Sequence, residues 1–320
     1  MRALSLLCLS LWFCALPAQD LRRGLVDANA VVVGRQVGKT VHDEDLVLHR
    51  VQVLLDVRGA AGNPSVTVLD WPKLSVHQRP TPRQSRLYCL QDAASTALRL
   101  GLPTANGPYY KMVGWAGSNP LVGAELEQDP YVRFARLLAA GEAGAAPIDT
   151  ASALCALAVQ GEPVLRTEAA RFLTERPDLQ QRLTAVQWSQ LVTRASGEID
   201  DVPHKIALAE LCAEQRLEGL LDALAVSLGQ VKDAEYARTV GRIGKLLHGE
   251  GATAKLEERL RLMGQPADRA ALLLAIGATN TDSALQTLLR LNRTGKDDAV
   301  EAALREHRSP QAREAVAQRK

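Results

Sequence analysis

Gly34-Arg35-Gln36-Val37-Gly38-Lys39-Thr40 sets two glycines, a lysine and a threonine behind the apolar run Ala30-Val31-Val32-Val33. Those residue types bind phosphate when a glycine-rich loop turns its backbone N–H groups toward the anion and a helix follows. The spacing argues against it. The phosphate loop reads G-x-x-x-x-G-K-[ST], one residue more than separates Gly34 from Gly38. His42-Asp43-Glu44-Asp45 comes next, and three carboxylates beside a triphosphate repel it. Gly38 to Asp45 therefore reads as a polar connection between two antiparallel strands. As a cation loop the acidic run has no matching ligand spacing, and a solvated hairpin tip accounts for it.

A second constellation lies in the long segment Leu69 to Pro80. Asp70, Trp71, His77 and Arg79 are the candidate ligand-loop residues, placed at the mouth of a small barrel where loops on a rigid scaffold carry function. The competing reading folds the loop over the barrel end with Trp71 as its plug. His49 falls on the apolar face of a strand and reads as a satisfied core histidine. His204, His248 and His307 stand alone near helix ends, where a cation is unremarkable. H-E-x-x-H, G-x-S-x-G and G-x-G-x-x-G are missing from the sequence, so no catalytic, cofactor-binding or metal-ligating residue is assigned and no cofactor is expected.

The elements that position these residues change character along the chain. From Ala28 to Val122 the pattern is β. Val47, His49, Val51, Val53, Leu55 and Val57 share one face of a period-two run, opposite Arg50, Gln52 and Asp56. SVTVL from Ser65, RLYCL from Arg86 and YYKMVGW from Tyr109 supply further strands, punctuated by prolines. The spacing predicts a small antiparallel barrel or sandwich.

From Asp129 the period becomes helical. Helix starts are marked by Pro163, Pro177, Pro266 and Pro310. Segments beginning at Val164, Val202, Tyr236, Ala267 and Ala299 align with one another, at the period of helix-pair repeats that stack into solenoids. The unit, clearest in ADRAALLLAIGATNTDSALQTLLRL, resembles a degenerate HEAT-like repeat. The β half, through DANAVVVGRQV, HRVQVLLDVRGA, VTVL and RLYCL, is similar to the OB-type barrel of netrin-like and tissue-inhibitor-of-metalloprotease modules in secreted bacterial proteins. Protease-inhibiting members reach the metal through an N-terminal cysteine that this segment lacks. The resemblance implies the fold alone.

Arg2, the apolar stretch Leu4 to Leu16 and Ala18 have the layout of a secretory signal peptide. Cleavage after it predicts an exported chain, periplasmic or extracellular, without a membrane span. Cys89, Cys155 and Cys212 would then remain, too few for a disulfide framework, and the last two sit at core-facing helical spacings. Thirty-eight Lys and Arg balance 36 Asp and Glu, which argues against nucleic acid as a partner.

The expectation is an α+β multidomain chain: leader at 1–18, β-barrel at 19–125, linker and first helix at 126–145, and an all-α HEAT-like solenoid at 146–320. Its expected role is non-catalytic binding of a protein partner through the helical surface, with Glu257, Arg261, Gln286 and Arg290 as candidate contacts; Leu285, Leu288 and Leu289 face the core, and Gln286, Thr287 and Arg290, offset from them, lie on the accessible surface. The alternative is small-ligand or metal binding, or hydrolase-type catalysis, by the Asp70–Arg79 loop.

Overall fold

The structure, a computed structural model, describes residues 20–73, 82–113, 119–142, 148–197, 201–231, 233–262 and 266–318. The leader at 1–18 lies outside them, as do His77 and Arg79. Two compact units divide between Leu157 and Ala158.

The first unit is built on a closed five-stranded barrel ordered β1-β2-β3-β5-β4. The strands are β1 (Ala30–Val41), β2 (Val47–Arg58), β3 (Ser65–Asp70), β4 (Ser85–Asp92) and β5 (Tyr109–Met112). β1 pairs antiparallel with both β2 and β4, and β5 closes the wall, parallel to β3 and antiparallel to β4. The alternation in β2 follows from its place in the wall: Val47, His49 and Val51 are buried, and Arg50 and Gln52 exposed. Ala30, Val32, Val51, Val66, Val68, Tyr88, Leu90, Tyr110 and Met112 fill the interior.

β1 is longer than the sequence implies. Gly38, Lys39 and Thr40 are strand residues opposite Arg50, His49 and Leu48, and the connection shrinks to the tip around Asp43. There Asp43 Oδ1 accepts from the N–H groups of Asp45 (2.8 Å) and Leu46 (2.7 Å), so its carboxylate shapes the turn. Gly34 has a packing reason. A Cβ there would lie 2.4 Å from Val51 Cγ1 and 2.9 Å from Gln52 O, where the β1–β2 register shifts and β1 bends over the barrel. The glycine that imitates a phosphate loop lets two strands approach.

Short helices α1 (Asp20–Asp27) and α2 (Ala94–Arg99) join this unit, as does α3 (Pro130–Glu142). α3 fills most of the stretch read as linker and first helix. It packs on β2, and Glu142 pairs with Arg58. α4 (Ile148–Gln160) carries buried Cys155.

The second unit is a run of helix pairs, as the repeat spacing predicts. First helices are α5 (Pro163–Thr174), α8 (Val202–Glu214), α10 (Ala234–His248), α12 (Pro266–Thr279) and α14 (Asp298–Glu306). Second helices are α7 (Ala185–Ser196), α9 (Leu220–Ser227), α11 (Gly251–Leu262), α13 (Asp282–Thr294) and α15 (Pro310–Ala317), with a single turn α6 (Pro177–Gln180) inside the first pair. First helices stack on first helices and second on second, forming two layers. Side chains of Asp201, Asp233 and Asp297 cap the first helices α8, α10 and α14, and those of Thr184, Thr281 and Ser309 cap the second helices α7, α13 and α15.

Candidate functional site

The structure places the residues singled out in the barrel at one end of it. Asp70 is the last residue of β3 and is buried, and His49 Nε2 donates to its Oδ2 across 3.3 Å. The pair joins residues that the sequence analysis kept apart, the core histidine and the first member of the loop. His49 Nδ1 is buried with no partner among the described residues. Trp71 is half-buried against Leu46, Leu69, Ala93, Ala97, Leu102 and Tyr109, a cluster separate from the one that fills the barrel interior. Asp70 is thus closed off from solvent and Trp71 partly covered. A separate polar recess of about 150 Å3 lies on the outer face of β1 to β3, lined by Thr40, Arg50, Ser65, Thr67 and Asn106. Thr67 Oγ1 donates to Asn106 O at 2.5 Å, so part of this polarity is already used.

Nucleophiles are unpromising. Cys89, Cys155 and Cys212 are buried and form no disulfide among the described residues, and burial is what the core-facing spacings predict for the helical pair. Burial pushes the Cys89 thiol up to about 12 and the Cys155 thiol up to about 11, leaving essentially no thiolate near neutral pH. Among the described residues no group of His, Cys, Asp and Glu gathers to hold a metal ion, and no helix is long and apolar enough to cross a membrane.

Two of the histidines assigned to helix ends are interior groups. His204 is fully buried and its Nε2 donates to Ala158 O at 2.7 Å. His307 is buried, donates from Nε2 to Thr281 O at 3.0 Å and accepts from Ser309 N–H at Nδ1 across 3.3 Å. Only a long-range view reveals this, since each partner sits on another element. His248 is exposed, as read.

The candidate partner surface on the second helices is only partly free. Leu285 and Leu288 are buried and Leu289 half-buried, as their spacing requires. Gln286 and Arg261 are exposed. Glu257 and Arg290, however, hold each other across α11 and α13, with Glu257 Oε1 accepting from Arg290 and from Thr287 Oγ1, each at 2.8 Å. Thr287, offset from the leucine stripe and expected on the surface, is buried by this link. Sequence periodicity gives which way a side chain leaves its helix; it does not give the neighbour that covers it. No family model matches the chain, and no curated protein matches it.

Proposed function

We propose that the chain is an exported, non-catalytic binding protein whose helical repeats, of the HEAT-like kind, hold a protein partner on their outer surface. The netrin-like kinship of the barrel and the cleaved leader belong to the same proposal. The observation that carries it is the layer of second helices: five helices stacked side by side, each burying one stripe and turning polar side chains such as Arg261 and Gln286 outward. Repeats of this kind build broad surfaces from short units. Mixed charge on that surface suits a polar contact of moderate affinity. A second reading, a small polar ligand in the recess of Thr40, Arg50 and Thr67, is favoured by the cavity there.

The test is capture by the immobilised full chain of proteins from the envelope of its own host. Arg261→Glu combined with Gln286→Glu is expected to reduce capture several-fold without lowering the melting temperature, since both positions are exposed and such changes stay within about 0.5 kcal/mol. Trp71→Ala is expected to leave capture intact. Loss with Trp71→Ala and retention with the helical variant would transfer the function to the barrel. Export makes its own expectation: N-terminal sequencing of protein recovered outside the cytoplasm should begin at Gln19, and Met1 there would sink that part.

A further inference from the structure

The second helices pack unequally. α11 and α13 are closed over by Glu257, Thr287 and Arg290. Between α9 and α11 Lys255 Nζ donates to Asp222 Oδ2 at 3.0 Å, and beside that ion pair a groove of about 330 Å3 lies open. Its origin is a difference in length. α9 has eight residues and α11 has twelve, so the last turn of α11 has no matching turn beside it. Leu221, Ala225 and Leu256 make the floor of the groove. Val226 and Leu262 line it while remaining 47% and 72% exposed.

An apolar notch alone would be ordinary. Arg259 makes it selective. It lines the same groove, its Nε is buried with no acceptor, and no acidic side chain among the described residues holds its guanidinium. Arginine keeps its charge and presents a rigid fork of donors that matches a carboxylate. A groove between two helices receives a third through anchors spaced by one turn. Asp222 and Glu258 line the groove as well; Asp222 is neutralised by Lys255, and exposed Glu258 opposes a run of acids.

Resting on the reading that the repeats are the binding unit, we propose that this groove docks a short amphipathic helix of a partner protein. The helix sets one apolar side chain on Leu221, Ala225 and Leu256 and, one turn away, a single carboxylate on Arg259. The volume stands at the low end of small-molecule pockets, about 300–1,000 Å3, which fits a side chain or two of a longer segment.

A random peptide library selected on the full chain tests this. Enriched sequences are expected to carry Leu, Met or Phe with Asp or Glu three or four residues away. A synthetic consensus peptide, followed by fluorescence anisotropy, is expected to lose about tenfold or more in affinity with Arg259→Gln. Val226→Trp, which fills the groove from an exposed position and spares the core, should abolish binding. Arg293→Glu, exposed on α13 and outside the groove, should change it less than about twofold. Enrichment without the apolar–acidic pattern, no enrichment at all, or a consensus peptide that binds Val226→Trp as well as the parent chain overturns the proposal. If envelope capture still depends on Arg261 and Gln286 while the groove peptides fail, the groove is wrong and the repeat surface stands. If capture depends on Trp71 instead, the wider reading fails by itself.

Discussion

Gly277→Ala is expected to lower the stability of the helical unit, although alanine is the better helix former by about 1 kcal/mol. Gly277 lies in α12, and a Cβ there would meet Ala303 of α14 at 2.2 Å from its carbonyl O, 2.9 Å from its C and 3.1 Å from its Cα. All three atoms are backbone. No side chain can swing aside, so α14 as a whole must retreat. Gly241 repeats the arrangement one pair earlier, 2.2 Å from Ala275 O of α12. The first helices are thus stacked backbone to backbone through small residues. Overpacking a close-packed contact costs about 1–3 kcal/mol, occasionally more, and a rigid obstacle belongs at the top of that range. Packing should therefore beat propensity by roughly 2 kcal/mol for alanine and by more for valine. Gly251→Ala at the start of α11, where a Cβ meets nothing within 4 Å, is the control and should be neutral or mildly stabilising. Thermal unfolding followed by circular dichroism reads all of them. A Gly277→Ala chain as stable as Gly251→Ala would mean that the helices are not in backbone contact. Because repeats interact only with their neighbours, the loss should show first as fraying of α14 and α15.

That stacking also explains what the sequence made legible. Periodicity is a local property, and local properties came through: the alternation of β2, the proline-marked helix starts, and repeat onsets at Val164, Val202, Tyr236, Ala267 and Ala299, each inside a first helix. The site chemistry is non-local and did not. Asp70 was read as a loop residue because its partner His49 lies 21 positions away on the neighbouring strand. Thr287 was read as exposed because the carboxylate covering it comes from Glu257, 30 positions back. Gly34 imitates the first glycine of a phosphate loop, since the signature of a close strand approach is also glycine. The groove at Arg259 needed two helix lengths to be known exactly, and helix ends are what periodicity fixes least well.

His204 should make the helical unit acid-labile in a window above the one set by its carboxylates. The ring is fully buried. Burial pushes its pKa down to about 4, with Arg166 and Arg194 adding to the effect and the Ala158 carbonyl and Asp201 opposing it. In the unfolded chain an ordinary histidine titrates near 6.5. Below about pH 6.5 the unfolded state takes up a proton that the folded state refuses, so stability falls with pH until the folded ring titrates near 4. Above pH 6.5 the contribution is complete. The difference between the two values corresponds to roughly 3 kcal/mol in all, and to roughly 2 kcal/mol by pH 5. Asp178, Glu250 and Asp297 work at lower pH: their pKa values are lowered by Arg176, by Ser283 and by Arg269 respectively, so their stabilisation is lost only as pH falls below the ordinary carboxylate range. Urea unfolding at pH 7 and pH 5 separates the two windows. The parent chain should lose about 2 kcal/mol between them. His204→Gln keeps a donor for Ala158 O and removes the titration, so it should start less stable at pH 7 and lose much less on acidification. Equal losses in the two chains would show that His204 is already protonated, or already in contact with water, in the folded protein, and that the interior position of its ring is wrong.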